Sequence, residues 1–311
     1  MLLAMGIVVI GTTFVDMKGY PSGKYIPAGR NAGSVVEVHG GVTRNIAEDI
    51  ANVGLAPTYV SVVDYSGLSN DIVDRLAAHG CNTDYVGRAK DGLGMWLAIF
   101  DETGDVVASI SRRPDMGGIE RILADKGDEI ISQADSVCIE FDIDAPILER
   151  TLSLAERYGK RVYAPVTNMA IACERRALLR KVSCLVCNQQ EAGVLFSWAL
   201  DDASPEEVRR ALAGKLMQTG LPSMVVTLGE QGSVFARVDG ESGRCPARPV
   251  EVVDTTGAGD AFFAGVAVGL TYGKSLADSC AIGARLAASA IGVDDNVCGR
   301  FSPEELGIQR G

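Results

Sequence analysis

Short apolar runs alternate with longer amphipathic stretches along nearly the whole chain. The short runs are rich in Val, Ile and Cys, as buried strands are. They span residues 5–10, 58–63, 136–140, 161–166, 183–187 and 223–228. Between them, apolar positions recur at helical spacing over residues 44–54, 69–79, 118–132, 146–158, 204–219, 258–272 and 275–291. Strands that alternate with helices form a parallel sheet covered on both faces, so this pattern predicts an α/β fold.

Two stretches lack the helical period. Residues 12–43 hold six glycines and two prolines around an alternating apolar and polar segment. Residues 94–113 have the pattern of a β-hairpin, with a turn at Asp101-Glu-Thr-Gly104. We expect both to form a small β-structure, a lid inserted between the first strands of the sheet.

Composition narrows the class of protein. The chain has 311 residues, of which 47% are hydrophobic and 22% charged, which predicts a globular protein, here a single domain over residues 1–311 with the lid as an appendage. Its 40 acidic residues outnumber 29 basic ones, for a net charge of −11. An acidic surface disfavours nucleic acid and anionic membranes, because both repel a net anion. We therefore expect a small-molecule partner.

Neither a membrane segment nor a metal framework is expected. The apolar run Met1 to Ile10 is too short to span a bilayer and lacks a basic flank, so it is interpreted as a first buried strand of a cytoplasmic protein. The eight cysteines are scattered, as in a reducing compartment. Cys184 and Cys187 form a CxxC inside an apolar run without a second pair or a nearby His. Two core thiols are favoured there over a zinc or redox site.

The segment Val250-Glu-Val-Val-Asp-Thr-Thr-Gly-Ala-Gly-Asp260 carries the clearest chemistry. A β-like run meets a glycine turn, and a helix starts at once. The amides of Gly257, Ala258 and Gly259 lie where a helix start has no internal acceptors, so they can converge on an anion. Asp260 lies in the first turn beside them and could accept the proton of an alcohol that attacks a phosphoryl group. An ordinary helix start would have the same local pattern.

Two other segments resemble phosphate-binding motifs but do not match them. Gly269-Leu-Thr-Tyr-Gly-Lys-Ser275 is one residue short of a P-loop and joins two predicted helices instead of following a strand. Gly257-Ala-Gly259 begins like a dinucleotide fingerprint, but Phe262 replaces the third glycine. This disfavours a nicotinamide dehydrogenase.

Four motifs, in order, resemble those of the PfkB (ribokinase-like) carbohydrate kinase family. The C-terminal signature is matched by Asp254-Thr-Thr-Gly-Ala-Gly-Asp-Ala-Phe262 and the N-terminal one by Gly40-Gly-Val-Thr-Arg-Asn-Ile-Ala47. Asn188-Gln-Gln-Glu191 fits the Asn-x-x-Glu motif, and Thr227-Leu-Gly-Glu-Gln-Gly232 fits the nucleotide-binding turn. The resemblance implies a three-layer α/β domain with a central, mostly parallel sheet and a small β-lid, which binds ATP and a sugar.

The resemblance also implies roles on the substrate side. Asp260 would be the catalytic base, Asp16 would bind substrate hydroxyls, and Asn45 would bind a sugar hydroxyl. Gly40 and Gly41 would form the hinge between lid and core. From the residues alone, Asp16 could equally be a turn residue and Asn45 a helix cap.

On the nucleotide side, the implied assignments concern ATP, Mg²⁺ and K⁺. Asn188 and Glu191 would organise the Mg²⁺-bound triphosphate, with Glu191 acting through water, although Glu191 could also be a solvated acid at a helix start. The residues expected to line the nucleotide site are Thr227, Gly229, Gly232 and Thr256. Asp254 matches a position that helps to hold a monovalent cation, but residues 292–298 depart from the family's usual second half of that site.

Within the family, short matches are similar to the pseudouridine kinase subgroup. They are the helix start after Gly41, the turn Asp16-Met-Lys18, and Glu140, which takes the place of an acidic substrate-side residue. Trp96 and Phe100 of the hairpin could cover a flat base. The matches predict phosphorylation of pseudouridine to its 5′-phosphate. A free-sugar kinase and a non-catalytic sugar or nucleoside sensor remain alternatives, and a homodimer through the lid is expected.

Overall fold

The computed structural model of the protein describes residues 6–198, 203–293 and 295–309, so position 5 of the first predicted strand lies outside the described residues. The strands are β1 (Ile7–Ile10), β2 (Phe14–Pro21), β3 (Gly33–Gly40), β4 (Thr58–Val63), β5 (Asn82–Arg88), β6 (Gly94–Phe100), β7 (Val106–Arg112), β8 (Ser136–Ile139), β9 (Val162–Pro165), β10 (Cys184–Asn188), β11 (Ser223–Thr227), β12 (Ser233–Arg237) and β13 (Ser242–Cys245). The α-helices are α1 (Val42–Asn52), α2 (Gly67–Ala78), α3 (Gly117–Ser132), α4 (Ala145–Arg157), α5 (Met169–Glu174), α6 (Gln189–Phe196), α7 (Pro205–Thr219), α8 (Ala258–Thr271) and α9 (Leu276–Ile291).

A nine-stranded sheet forms the centre, in the order β13-β12-β11-β10-β9-β8-β1-β4-β5. Strands β12 and β13 are antiparallel at one edge, and the other neighbours pair in parallel. Helices cover both faces of this sheet. Leu123 of α3 and Leu148 of α4 belong to the core on one face, while Ile50 of α1 and Phe263 of α8 belong to the core on the other. The predicted three-layer, mostly parallel α/β fold is confirmed.

A second, four-stranded sheet has the order β3-β2-β6-β7. Both non-helical stretches of the sequence contribute to it, since β2 pairs with β3 and β6 pairs with β7, each antiparallel. The hairpin turn lies where the sequence predicts it, with the Gly104 amide donating to the Asp101 carbonyl at 3.2 Å. The movement of this sheet as a lid, and the division of the chain into one domain with a lid, stay predictions.

The structure corrects several secondary-structure predictions. The elements β12, β13, α5 and α6 were not predicted, because short strands and one- or two-turn helices carry too few periodic positions. The seven-residue β5 was missed because its sequence is mostly polar and it is only half-buried at the edge of the sheet. The β-like run at residues 250–253 is not a strand. Its valines are exposed, and the Val253 amide donates to the Ile291 carbonyl, so this run packs beside α9 outside both sheets.

The described residues include no helix that is long and apolar enough to cross a membrane. All eight cysteines are free, and Cys184 and Cys187 are buried in β10. Within the described ranges, no group of three or more His, Cys, Asp or Glu side chains is placed to hold a metal ion. The interpretation of the CxxC as two core thiols agrees with these positions.

Candidate active site

Asp260 lies in the first turn of α8, directly after the glycine turn. Gly257 caps this helix with a left-handed backbone (φ 78°), which favours glycine. A Cβ at Gly257 would also collide with the Asn296 carbonyl group. The Asp260 carboxylate is held from the neighbouring helix, because Nδ2 of Asn45 donates to its Oδ2 at 2.8 Å.

Burial raises the pKa of Asp260 to about 7. The hydrogen bond from Asn45 and the charge of Arg44 oppose this rise, and the charges of Glu140 and Asp16 contribute to it. A carboxyl with such a pKa suits general base catalysis near neutral pH, since it can both lose and gain a proton there.

Asn45 has one amide hydrogen left for a ligand. Its Oδ1 accepts from Arg44 Nη1 at 2.9 Å, and one of its two Nδ2 hydrogens goes to Asp260. The second hydrogen of Nδ2 is therefore the group that could reach a substrate hydroxyl. The predicted sugar contact of Asn45 stays a prediction.

Asp16 enters the site from β2, packed against Gly40 at the end of β3. A Cβ on Gly40 would lie 2.6 Å from the Asp16 carboxylate, so only glycine allows this approach. Gly41 follows with φ 103° and caps α1. Burial raises the pKa of Asp16 to about 6, against the opposing charges of Lys18 and Arg44.

Glu140, just after β8, is an anchor for the loops around it. It is 7% exposed, and its Oε1 accepts from the hydroxyl of Thr43 at 2.8 Å and from that of Thr12 at 3.2 Å. Burial raises its pKa to about 7, and the charge of Asp142 adds to this. Glu140 thus joins the end of β1 to the start of α1, in addition to facing the cavity.

A cavity of about 580 Å³ opens between the second sheet and the carboxyl ends of the central strands. This is the expected place for a ligand in an open α/β sheet, and the volume suits a sugar or a nucleoside. The predicted site residues that line it are Asp16, Gly41, Asn45, Glu140, Thr256, Gly257 and Asp260. Those that do not line it are Gly40, Asn188, Glu191, Thr227, Gly229, Gly232, Asp254, Ala258 and Gly259.

The far wall of the cavity consists of residues that sequence reasoning missed. Asp142 accepts from the hydroxyl of Thr167 at 2.8 Å and from the amide of Asn168 at 3.0 Å, which shapes the loop before α5. Arg113, from the end of β7, also faces this space. Asp142 follows a buried strand, and that position could have marked it as a site residue.

The two predicted base-covering aromatic side chains have different surroundings. Trp96 lines the cavity. Phe100 instead stacks on Tyr20 within the second sheet, with ring centroids 4.8 Å apart. Only Trp96 is therefore placed to cover a ligand.

The predicted anion-binding amides are not equivalent. The Ala258 amide already donates to the Thr255 carbonyl at 3.3 Å, because the chain turns tightly before α8. The amides of Gly257 and Gly259 have no backbone or side-chain acceptor in the part of the chain that the structure describes. A Cβ at Gly259 would meet open space, as expected of a surface that a ligand could approach.

Of the predicted nucleotide-side residues, Asn188, Glu191, Thr227 and Gly229 lie at or just after the ends of β10 and β11, whereas Thr256 lines the cavity. Asn188 is in register with Thr227. Asn188 and Glu191 form a reciprocal cap of α6, in which Glu191 Oε2 accepts from the Asn188 amide at 2.8 Å. Burial raises the pKa of Glu191, and its other carboxylate oxygen is the one that a bound water could contact.

The turn after β11 contains two glycines with positive φ. Gly229 has φ 57° with open space around its Cβ position, whereas a Cβ at Gly232 (φ 86°) would collide with the Cys245 carbonyl oxygen. The Gly232 side of the turn therefore packs against the end of β13, and the Gly229 side is left open.

Asp254 does not have the surroundings of a simple cation ligand. Its Oδ1 accepts from the hydroxyl of Thr256 at 2.8 Å, and its Oδ2 lies 3.8 Å from Nζ of Lys18. Burial acts to raise the pKa of Asp254, but the Thr256 hydrogen bonds and the Lys18 charge lower it overall. A positive charge is already present at this carboxylate, which disfavours a K⁺ ion beside it.

Curated relatives match almost the full chain. It is 32% identical over 294 residues to a guanosine-inosine kinase of Exiguobacterium acetylicum, which covers 93% of this chain and 95% of the relative. It is 26% identical over 274 residues to a pseudouridine kinase of Escherichia coli, which covers 88% of this chain and 86% of the relative. The model of the pfkB family carbohydrate kinases matches residues 5–295.

Solved structures agree with the fold. A structure of Arabidopsis thaliana ribokinase complexed with ribose and ATP superposes with a TM-score of 0.84 at 23% identity, covering 98% of this chain and 99% of that one. The sensor alternative is wrong, because the family match and the curated relatives are kinases. The carboxylate, the glycine turn and the family match lead to one conclusion: the chain belongs to the pfkB family of carbohydrate kinases and is a phosphotransferase that acts on a hydroxyl group of a sugar or nucleoside.

Proposed function

We propose that this kinase transfers the γ-phosphoryl group of ATP to the 5′-hydroxyl of a nucleoside, with pseudouridine as its preferred acceptor. The observation that carries the proposal is the position of the Asp260 carboxylate. It accepts a hydrogen bond from Asn45, lies directly after the glycine turn that caps α8, and faces a cavity that Asp16 also lines. Asp260 accepts the proton of the attacking hydroxyl, and Asp16 binds the ribose diol.

The glycine turn stabilises the charge that develops on the transferred group. The amides of Gly257 and Gly259 point to the same end of α8 that the helix dipole makes positive. Trp96, at the cavity wall, covers the flat base, while Asn168 and Arg113 offer polar groups to its edge. Closure of the second sheet over the cavity excludes water during transfer.

ATP is proposed to bind along the ends of β10 and β11, next to Asn188, Thr227 and the open side of Gly229. Thr256 lines the acceptor cavity, and the proposal places the γ-phosphoryl group beside it. Glu191 retains one carboxylate oxygen for a water of Mg²⁺, which would neutralise phosphate charge when bound. The free cysteines support a reducing, cytoplasmic compartment.

The second candidate acceptor is a 6-oxopurine nucleoside. The curated guanosine-inosine kinase favours it, with higher identity than the pseudouridine kinase. Inosine, guanosine and pseudouridine all present an N–H beside a carbonyl, which one pair of polar groups at the cavity wall can recognise. A free-sugar kinase would not need the apolar cover of Trp96.

A panel of acceptors tests this proposal. We expect kcat/KM for pseudouridine to exceed that for ribose or fructose by about 10³ or more, because a free sugar leaves the polar groups of the base subsite unpaired. The measurement is ADP release with ATP and Mg²⁺ for pseudouridine, uridine, inosine, guanosine, ribose and fructose. A preference for inosine would select the second candidate. A sugar equal to the best nucleoside would contradict both.

We also propose a homodimer through the second sheet. Its edge strands β3 and β7 expose apolar side chains, including Val35 and Ile110, which are 69% and 70% exposed. Sheet edges with exposed apolar residues pair readily with a second copy. Light scattering is expected to show a dimer that Ile110→Lys converts to a monomer, while Met217→Lys, at an equally exposed position on α7, leaves it intact. A monomeric wild-type protein would contradict the proposal.

A further inference from the structure

Charged side chains are buried on α1, directly behind the cavity. Arg44 and Glu48 have no exposed surface and form an ion pair one helical turn apart. Glu48 Oε1 also accepts from Arg75 Nε at 2.7 Å, and Arg75 reaches Asp295 at 2.6 Å. Burying charges is costly, and an apolar pair of similar volume often stabilises a fold equally well. Fold stability alone is thus a weak explanation for these ions.

The other side of the Arg44 guanidinium contacts the amide that holds Asp260. Arg44 Nη1 donates to Asn45 Oδ1 at 2.9 Å, and Asn45 Nδ2 donates to Asp260 Oδ2 at 2.8 Å. A guanidinium only donates hydrogen bonds, so it accommodates only the oxygen end of the amide. With the amide flipped, its NH₂ group would face the cation and its carbonyl would face the carboxylate. Arg44 therefore decides which end of Asn45 faces Asp260.

We propose that Arg44 is a positioning residue for phosphoryl transfer, which locks the Asn45 amide so that its N–H holds the Asp260 carboxylate in the orientation for attack. This inference rests on the proposed role of Asp260 as the base. Arg44 itself does not line the cavity, so it acts through Asn45. The ion pair with Glu48 keeps the guanidinium plane in place.

The charge of Arg44 must be separated from its hydrogen bond. The groups with the largest effects on the pKa of Asp260 are Asn45, Glu140, Asp16 and Arg44, and the buried Asp49 carboxyl also interacts with it. Arg44 interacts most with Glu48, Arg75, Asp295 and Tyr59, and its charge also reaches Asp16, His39 and His79. Because the Arg44 charge also favours the ionised carboxylate directly, a useful variant keeps the charge and removes the hydrogen bond to Asn45.

Arg44→Lys is that variant, because an ammonium pairs with Glu48 but lacks the second arm of the guanidinium fork. We expect kcat to fall by about tenfold with the KM for ATP unchanged, since a loosely held base attacks less often in the right geometry. The acid limb of the kcat profile should move to higher pH as Asp260 loses a well-oriented donor. In an Asn45→Ala background, Arg44→Lys should change kcat by less than about twofold, because the hydrogen bond is already gone.

Arg75→Lys is the matched control. It makes the same exchange on the same partner, Glu48, but has no contact with Asn45. We expect it to lower the melting temperature while leaving kcat within about twofold and the acid limb in place. Thermal melting is measured for all variants. If Arg44→Lys does not fold, Arg44→Gln replaces it in the same cycle; the lost charge then acts in both backgrounds, and only the part of the loss that disappears in Asn45→Ala belongs to the hydrogen bond.

The outcomes separate positioning from structure. An equal loss of kcat in the wild-type and Asn45→Ala backgrounds, or an equal loss in Arg75→Lys, would overturn the proposal. The acceptor for these assays is whichever member of the panel has the highest kcat/KM, so a different substrate does not affect the test. Full activity of Asp260→Asn would instead refute the proposed base.

Discussion

Asp260→Asn is expected to lower kcat by a factor on the order of 10³ while the protein stays folded. Asparagine has the shape of the carboxylate and still accepts the hydrogen bond from Asn45, but it cannot take the proton of the acceptor hydroxyl. The matched control is Asp278→Asn, in the first turn of α9, where the side chain is exposed and accepts from Ser275. Initial rates and thermal melting of both variants check the expectation.

The pH dependence gives the same prediction a second measurement. Because burial raises the pKa of Asp260 to about 7, the protonated and inactive form persists up to neutral pH. We expect kcat to rise with pH and reach half of its maximum near pH 7. Glu140 and Asp16 also titrate in this pH range, so the acid side of the kcat profile reports the three interacting carboxyls together. A wild-type rate independent of pH between about 6 and 8, or an Asp260→Asn variant with most of its activity, would exclude Asp260 as the base.

Gly259→Val is expected to lower kcat by about 10² with a smaller change in the KM of the acceptor. The position is helical and a Cβ there meets open space, so the variant protein should fold. The valine side chain would, however, occupy the proposed place of the transferred phosphoryl group. Gly257→Val is the less informative change, because it also forces a side chain into the Asn296 backbone.

Gly214→Val is the control for the glycine prediction. Gly214 is also helical, with open space around its Cβ position, but it lies in the interior of α7 and not in the first turn of α8 beside Asp260. The substitution should leave stability unchanged or slightly higher, because Val has a higher helix propensity than Gly, and it should leave kcat unchanged. If Gly259→Val raised only the KM of the acceptor, the loop would serve binding and would not stabilise the transition state.

Local patterns predicted the parts of this molecule that local physics decides. The continuous apolar runs of β4 and β11 match the structure closely, because these strands are buried on both faces. The predicted helix over 258–272 matches α8, although α8 is buried on all sides from Ala261 to Leu270. The capped helix start with Asp260 was visible from its glycine turn. Residues 250–253 show the limit: an apolar run becomes a strand only where another strand pairs with it, and here the Val253 amide donates instead to the carbonyl of Ile291 at the end of α9.

The rest of the site depends on contacts between distant segments. Asp142 and Asn168 meet because the loop after β8 packs against the loop before α5, which no local pattern reports. Arg44 is similar: at a helix start it has the sequence signature of an exposed cation, yet it is fully buried. Its partner Glu48 four residues on was the one available signal.

The reciprocal cap of α6 has a thermodynamic consequence for nucleotide affinity. Asn188 and Glu191 already satisfy each other's backbone amides, so a ligand that draws the Asn188 side chain away must first open this cap. Opening such a cap costs about 1 kcal/mol, which weakens the apparent Kd by about fivefold. Helical order in α6 and occupancy of the proposed ATP site would then compete. A variant that removes the reciprocal half of the cap without removing Asn188, such as Glu191→Ala, would bind the nucleotide base and ribose more tightly at the expense of a less stable helix.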